Sequence, residues 1–180
     1  MKFTPAKLNG ILIMEPRFFQ DERGFFTEMY QHQRFTEAGI PDAFVQDNLS
    51  GSRRGILRGL HYQVCKPQGK LVRVTAGEVY DVAVDLRSSS PTFGQWMGMY
   101  ISANNHIQLW IPPGFAHGFY VLSEWAELLY KVTDFYAPEY EHTLLWSDVQ
   151  VNIAWPLIGT PLVSDKDQQG KSFVEADKFD

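Results

Sequence analysis

The chain has 180 residues, with 16 Lys and Arg against 21 Asp and Glu, and therefore a net charge of −5. A general nucleic-acid-binding protein usually carries a basic excess, so this charge balance argues against that class. Apolar residues make up 44% of the chain and charged residues 21%, which is ordinary globular usage and excludes wholesale disorder.

Short apolar and aromatic runs, broken by Gly, Pro, Asn or Ser, predict a chain made mainly of β-strands. The predicted strands are residues 24–30, 43–49, 56–63, 71–75, 78–86, 96–102, 107–111, 117–122, 127–133 and 143–146. Residues 31–39 form the one clear predicted helix, which ends at Gly39. Gly77, between two predicted strands, indicates a tight hairpin. After Pro156 the pattern becomes irregular, with at most weak helical character.

Two further features concern where the protein works. Its single cysteine, Cys65, cannot form an internal disulfide. No apolar run follows Met1 as in a signal peptide, and no stretch approaches the ~18 apolar residues of a transmembrane helix. We therefore expect a cytoplasmic protein that binds neither membranes nor nucleic acid.

The segment 55–63 contains the first candidate for chemistry. His61 lies late in an apolar strand, three residues after Arg58. On a regular strand these two side chains face opposite sides, whereas a bulge at Gly59 would bring them together. The alternative interpretation is a hydrogen-bonded core histidine beside a surface arginine.

A second histidine follows a rigid turn in the segment 111–119. The pattern P-x-G-x-x-H ends at His117, and G-x5-H ends at His61. Together they resemble the two halves of the cupin signature. That resemblance, with many short strands and frequent turns, predicts an all-β, cupin-type double-sheet β-barrel (jelly roll) with a few short helices, mainly near the termini. We expect one domain over residues 1–180, with residues 156–180 as an extension packed over the barrel.

The departure from the metal-binding cupin signature is as informative as the match. Gln63 stands where those proteins have a second histidine, and Lys70 stands where they have an acidic ligand. An ammonium group has no lone pair to offer a metal. The pattern therefore argues against a metal-dependent oxygenase and indicates a polar site that contains a cation.

Other polar residues have two interpretations each. Arginines such as Arg23 and Arg58 suit phosphate oxygens, although a lone arginine is usually a solvated surface charge. Tyr130 and Tyr136 can donate protons, although most strand tyrosines only pack. Asp167 would orient a histidine only if the C-terminal segment folds back over the barrel.

Taken together, these segments resemble the dTDP-4-dehydrorhamnose 3,5-epimerase family, nucleotide-sugar epimerases of the cupin superfamily. The resemblance extends over nearly the whole chain, in motifs that keep the family's order. The motifs are DERGFF at 21–26, FVQDN at 44–48, LRGLHYQ at 57–63, QGKLVRV at 68–74, GEVYDVAVDLR at 77–87, SPTFGQW at 90–96, QLWIPPGFAHGF at 108–119, LLYK at 128–131 and YAPE at 136–139.

The resemblance implies a role for each matching position. His61 corresponds to the general base, Asp167 to the carboxylate that orients it, and Tyr130 to the general acid on the opposite face of the sugar. Lys70 corresponds to the cation near the developing enolate. The positions that match contacts to the nucleotide sugar are Arg23, Glu28, Gln46, Asn48, Arg58, His117, Tyr136, Glu141 and Lys166.

The resemblance also implies an isomerase that acts as a homodimer without metal or cofactor. Its reaction would be epimerisation at C3 and C5 of dTDP-4-dehydro-6-deoxy-D-glucose to dTDP-4-dehydro-L-rhamnose, in dTDP-L-rhamnose biosynthesis. A 3- or 5-mono-epimerase of a related nucleotide 4-keto-sugar is the alternative within the enzyme class. Two other function classes are a metal-dependent cupin oxygenase or isomerase and a non-catalytic nucleotide-sugar-binding cupin.

Overall fold

The computed structural model describes residues 1–40 and 43–180. Its strands, numbered in chain order, are β1 (Lys2–Pro5), β2 (Leu12–Glu15), β3 (Phe18–Asp21), β4 (Gly24–Thr27), β5 (Gln46–Arg53), β6 (Leu57–Gln63), β7 (Lys70–Ala76), β8 (Glu78–Asp85), β9 (Trp96–Ser102), β10 (Gln108–Ile111), β11 (Phe115–Val121), β12 (Trp125–Val132) and β13 (Glu141–Thr143). The described helices are α1 (His32–Glu37), α2 (Asp165–Gln168) and a 3₁₀ turn (Pro138–Tyr140). None of them is long and apolar enough to span a membrane.

Most strands belong to two antiparallel sheets whose inner faces pack together. One sheet has six strands in the order β1-β2-β10-β7-β12-β5, and the other has five in the order β13-β6-β11-β8-β9. Val72 and Leu128 of the first sheet meet Val79 and Phe119 of the second in one buried core. Burial of these apolar faces is the main force that holds the two layers together. The predicted all-β double-sheet barrel is confirmed.

The C-terminal part of the chain covers the outer face of the five-stranded sheet. On β8, Val79 and Ala83 point into the core between the sheets, whereas Val82 and Val84 point outward. The outward pair packs against a separate cluster that contains Phe173 of the C-terminal segment. Isolated bridges also join this segment to the rest of the chain at Leu162, Lys171 and Phe179. These contacts hold α2 against the barrel.

The chain passes from one sheet to the other at Gly77, so the predicted hairpin at this position is wrong. Strand β7 pairs with β10 and β12, whereas β8 pairs with β9 and β11. Gly77 has a φ of 72°, and a Cβ there would stand 2.0 Å from the carbonyl oxygen of Trp125. Glycine at this position therefore permits the chain to cross from one sheet to the other. The local pattern, two strands separated by a glycine, suggests a hairpin instead.

The predicted bulge at Gly59 is confirmed. His61 pairs with His117, but Arg58 pairs with Phe119, so β6 has one more residue than β11 over this interval. A Cβ on Gly59 would lie 2.6 Å from the Cα of Gly118, so only glycine allows the two backbones to approach so closely. The extra residue turns Arg58 and His61 toward the same cavity.

The other predicted elements differ from the structure mainly at their ends. The predicted helix at 31–39 corresponds to α1, and the predicted strand at 143–146 overlaps β13 at Thr143 alone. Three N-terminal strands, β1 to β3, were not predicted, because each has only four residues and no clear alternation. Strands β3 and β4 form a separate two-stranded hairpin.

Candidate active site

A cavity of about 350 Å³ lies between the two sheets. Each sheet contributes one wall, which is why residues distant in sequence meet there. The six-stranded sheet supplies Gln46, Asn48, Lys70 and Tyr130. The five-stranded sheet supplies Arg58, His61, His117 and Glu141, and Tyr136 lines the cavity from the loop before the 3₁₀ turn.

His61 and Asp167 form a hydrogen-bonded pair at this cavity. The His61 Nε2 atom lies 2.5 Å from Oδ1 of Asp167, and Oδ2 of Asp167 accepts a hydrogen bond of 3.1 Å from the Gly59 amide. The carboxylate side chain is only 4% exposed, whereas the imidazole is 32% exposed. Burial acts to raise the pKa of Asp167, but its hydrogen bonds to His61 and Gly59 lower it overall. Asp167 is therefore an ionised partner that fixes the ring of His61.

Local sequence explains how Asp167 reaches this position. Ser164 is the N-cap of α2, and its side-chain oxygen accepts a hydrogen bond from the Asp167 amide. The bridge between Leu144 and Lys171 holds the chain that leaves the helix. The helix is thus fixed at both ends, and the C-terminal segment does fold back over the barrel.

Lys70 is a cation buried in the cavity wall. Its Nζ donates a hydrogen bond of 3.1 Å to the backbone carbonyl of His61, on the opposite sheet. Burial lowers the pKa of Lys70 to about 8, against the opposing effect of the carboxylates of Glu141 and Asp81. Lys70 is therefore mostly protonated at neutral pH, although its pKa of about 8 lies close to that pH.

Tyr130 faces the cavity from the sheet opposite His61. Strand β12 places it between Val72 of β7 and Asn48 of β5. Burial, reinforced by the charge of Glu141, raises the pKa of Tyr130, while Arg58 lowers it. The phenol is therefore fully protonated at neutral pH and able to donate a proton.

A second tyrosine is held by a polar chain at the cavity rim. Tyr136 donates a hydrogen bond of 2.8 Å to Glu141, and Lys166 of α2 forms an ion pair with the same carboxylate. The bond to Glu141 is the main reason that the pKa of Tyr136 is raised. Two glutamines hold the backbone beside it, since Gln46 accepts from the Tyr136 amide and Gln63 accepts from the Ala137 amide.

His117 forms a second histidine–carboxylate pair, and the carboxylate of this pair was not predicted from the sequence. Nε2 of His117 lies 2.8 Å from Oδ2 of Asp81, and both side chains are buried. Asp81 shares the inward face of β8 with Val79 and Ala83. The sequence did contain a signal for this pair. A carboxylate at an inward position of an apolar strand is a buried charge, and a buried charge requires a partner.

Arg23 and Glu28 lie outside the cavity of their own chain. Arg23 is on the β3–β4 hairpin, where it forms an ion pair with Asp21, and its side chain is 85% exposed. Glu28 forms an ion pair with Arg34 of α1. The structure therefore does not bring these two residues together with the other predicted site residues.

The donor set of the cavity does not suit a divalent metal. Gln63 is already engaged, because its amide nitrogen donates to the carbonyl groups of Lys66 and Phe135. Lys70 adds a positive charge. Over residues 1–40 and 43–180, no three His, Cys, Asp or Glu side chains are grouped as a metal site would require.

The family model of dTDP-4-dehydrorhamnose 3,5-epimerase matches residues 5–175. The chain belongs to this family. A dTDP-4-dehydrorhamnose 3,5-epimerase of Pseudomonas aeruginosa is 59% identical over 180 residues, which cover 99% of each chain. A dTDP-4-dehydrorhamnose 3-epimerase of Streptomyces niveus is 38% identical over 98% of this chain and 86% of the relative.

Solved structures agree with this membership. The crystal structure of an epimerase from Legionella pneumophila in complex with dTDP-4-keto-L-rhamnose has a TM-score of 0.95 and 51% sequence identity, and covers 98% of this chain and 94% of that one. Members of this epimerase family are isomerases, so the chain is assigned to the isomerases.

Proposed function

We propose that the protein epimerises dTDP-4-dehydro-6-deoxy-D-glucose at C3 and C5 to give dTDP-4-dehydro-L-rhamnose, in dTDP-L-rhamnose biosynthesis. The observation that carries this proposal is one cavity with His61, held by Asp167, on one wall, and with Tyr130 and the buried cation Lys70 on the other. Epimerisation requires a base and an acid on opposite faces of a sugar ring, and this cavity supplies both.

In the proposed mechanism, His61 removes the proton from the carbon beside the C4 ketone. Histidine suits this role because its ordinary pKa is about 6.5, close to neutral pH. Asp167 fixes one ring nitrogen and stabilises the imidazolium that forms, while the other nitrogen is free to face the sugar. The electron pair of the broken C–H bond moves into an enolate with negative charge on the C4 oxygen.

Lys70 stabilises that enolate. A fixed, buried cation interacts more strongly with the enolate oxygen than with the neutral ketone, so it lowers the barrier. Tyr130 then donates its phenolic proton to the carbon from the opposite face, which inverts the centre. The reaction involves no net oxidation, so the proposed mechanism uses no nicotinamide.

The remaining cavity residues would bind the nucleotide sugar. Arg58 can bind the diphosphate with its guanidinium fork, since among residues 1–40 and 43–180 its one side-chain hydrogen bond runs from Nε to the Ser52 hydroxyl. Gln46 and Asn48, hydrogen-bonded to each other at 2.8 Å, offer amide groups beside it. His117, Tyr136, Glu141 and Lys166 would complete the contacts at the wall and rim. Binding energy from the diphosphate would then hold the sugar in position.

We further propose that the protein is a homodimer in which the β3–β4 hairpin serves the site of the other copy. The hairpin exposes Phe19, Phe25 and Phe26 by 46%, 67% and 68%. Exposed aromatic groups beside an arginine are typical of an interface. Arg23 and Glu28 would then contact the nucleotide in the partner's cavity. Sedimentation equilibrium should give twice the mass of one chain, and a mass of 20.7 kDa would contradict the dimer.

Proton exchange in heavy water tests the proposed function. The protein is incubated with dTDP-4-keto-6-deoxyglucose in D₂O, and deuterium at C3 and C5 is read by NMR. Deuterium at both carbons of a product with inverted configuration supports a 3,5-epimerase. Deuterium at one carbon identifies a mono-epimerase, as in the Streptomyces niveus relative by its name. Binding of the sugar without exchange would favour the non-catalytic alternative.

We expect Tyr130→Phe to reduce turnover by about 10²-fold or more, because the variant lacks the proton donor. Substrate affinity should change little, since the ring still fills its place on β12. Steady-state kinetics measure both quantities, with Tyr100→Phe as a matched control on the exposed edge strand β9. An unchanged turnover number would mean that Tyr136 or water, and not Tyr130, donates the proton.

A further inference from the structure

The β3–β4 hairpin is attached to the barrel by stacked rings. Phe18 of β3 lies against His106, with 4.0 Å between the ring centroids and an interplanar angle of 14°. Phe25 of β4 stacks on Phe18 at 4.7 Å. His106 belongs to the turn that joins β9 and β10 of the barrel. The hairpin is therefore docked on this turn through ring faces.

The two faces of the hairpin have different environments. Its register places Phe18 and Phe25 on one face and Phe19 and Phe26 on the other. On the first face, Phe18 is partly buried against His106. On the second face, Phe19 and Phe26 are both exposed. One face is thus docked on its own chain, and the other is open for contact with a partner copy.

The turn that carries His106 is rigid and holds this residue in an unusual conformation. The Asn105 side chain accepts hydrogen bonds of 3.0 and 3.1 Å from the amides of Ser102 and Ile107. The φ of His106 is 55°, in the left-handed region that glycine and asparagine adopt more readily. A bulky side chain kept in this conformation points to a use for its ring, and the ring lies on Phe18.

Polar contacts make the docked hairpin a stiff arm. Beyond β4, the Met29 carbonyl accepts a hydrogen bond of 2.9 Å from the buried side chain of Gln108 on β10. At the tip, Asp21 accepts hydrogen bonds from both the amide and the guanidinium of Arg23. The place of Arg23 therefore follows from the place of the hairpin.

We propose that His106 is a positioning residue, which acts through Phe18 to hold the hairpin where Arg23 reaches the nucleotide in the partner's cavity. The inference rests on the proposed dimer, in which Arg23 serves the other copy. An aromatic pair favours the docked position by about two- to tenfold. A hairpin that undocks carries Arg23 away from the nucleotide, so the apparent affinity falls with the docked fraction.

His106→Asn tests this role, because it removes the ring while asparagine tolerates the left-handed backbone. We expect the Kd for dTDP, measured by calorimetry, to rise about fivefold. The loss should appear in KM more than in kcat, since Arg23 serves binding.

Phe18→Leu removes the ring on the hairpin side and should give the same rise in Kd, so the test does not depend on one variant. Phe93→Leu is the matched control. It breaks another aromatic pair, with Phe173 at 5.4 Å, and Phe93 lines neither the cavity nor the hairpin surface. The Kd of this control should equal that of the unchanged protein.

Combination with Arg23→Ala separates a positioning role from a general loss of structure. Arg23→Ala alone should raise the Kd about tenfold or more, the usual cost of losing a hydrogen bond to a charged group. In that background, His106→Asn should add less than about twofold, because no Arg23 remains to be displaced. Two effects that multiply in full would overturn the inference.

Other outcomes are equally decisive. An unchanged Kd in folded His106→Asn contradicts the inference, as does a His106→Asn protein that sediments as a monomer, since the ring would then serve assembly. An unchanged protein of monomer mass, or an unchanged Kd in Arg23→Ala, contradicts the proposed dimer site on which the inference rests.

Discussion

Replacement of His61 by asparagine should reduce proton exchange at both C3 and C5 by about 10³-fold or more, because general-base catalysis is worth about 10²–10⁴-fold and no other group takes its place. Asparagine keeps a polar side chain toward Asp167 but cannot accept the proton. The dissociation constant for dTDP should stay within about threefold of its original value, since His61 faces the sugar in the proposed mechanism. NMR in D₂O and calorimetry measure the two effects.

His32→Asn provides the matched control for this experiment. His32 is exposed, its one side-chain hydrogen bond among the described residues is to the Tyr30 hydroxyl, and it does not line the cavity. It should leave exchange unchanged. If His61→Asn lowered the exchange rate by no more than about tenfold, the loss would be far smaller than a general base contributes, and His61 would not be the base. In that event the His117–Asp81 pair would be the next candidate on the same wall.

Lys70→Met should reduce turnover by about 10²–10³-fold, the usual loss when a group that stabilises an oxyanion is removed. Methionine has nearly the length of lysine, so the cavity keeps its shape while the cation is lost. Lys131→Met is the matched control, because Lys131 pairs with Asp47 and does not line the cavity. A turnover number unchanged in Lys70→Met would exclude Lys70 as the stabilising cation.

The same substitution should make the protein more stable, by about 2 kcal/mol at neutral pH. The pKa of Lys70 falls from 10.5 in the open chain to about 8 in the fold, which corresponds to an unfavourable contribution of about 3 kcal/mol. Loss of the hydrogen bond to the His61 carbonyl offsets about 1 kcal/mol of the gain. Denaturant unfolding measures the difference. A less stable variant would mean that inactivity reflects damage to the fold.

The pH dependence follows from the same pKa with a definite sign. Lys70 is a cation below pH 8 and becomes neutral as the pH rises through about 8. The kcat/KM of the unchanged protein should therefore decline above about pH 8 with a slope approaching one decade per pH unit. The cost that Lys70 imposes on folding is complete below pH 8 and disappears as the pH approaches 10.5. Stability should thus rise over the range in which activity falls.

Sequence patterns predicted most of the long strands because apolar and aromatic residues in short runs can only be buried by pairing. They could not assign strands to sheets. The segments on either side of Gly77 look like a hairpin locally, yet β7 pairs with β10 and β12, and β8 pairs with β9 and β11. Packing between distant strands decides that choice, and one glycine allows either outcome.

The cavity residues were predicted mainly through long family motifs rather than through local chemistry. Gly59 showed that β6 needs a bulge, which correctly placed Arg58 and His61 on one side. Asp81 was missed because the alternation of β8 was interpreted as packing alone. Arg23 and Glu28, by contrast, were predicted as site residues but lie outside the cavity. A motif in a single chain does not distinguish a residue that serves its own cavity from one that serves the cavity of another copy.

The position of Asp167 after both cavity walls in the chain order also has a consequence for biosynthesis. Both cavity walls are formed by residues 46–141, which leave the ribosome well before α2 does. A nascent chain can therefore assemble the two sheets while His61 still lacks its carboxylate. On the proposed mechanism, a nascent chain that has folded only its two sheets has no oriented base, so turnover begins only after α2 has docked. A product cut short before Ser164 would at most hold the nucleotide sugar without converting it.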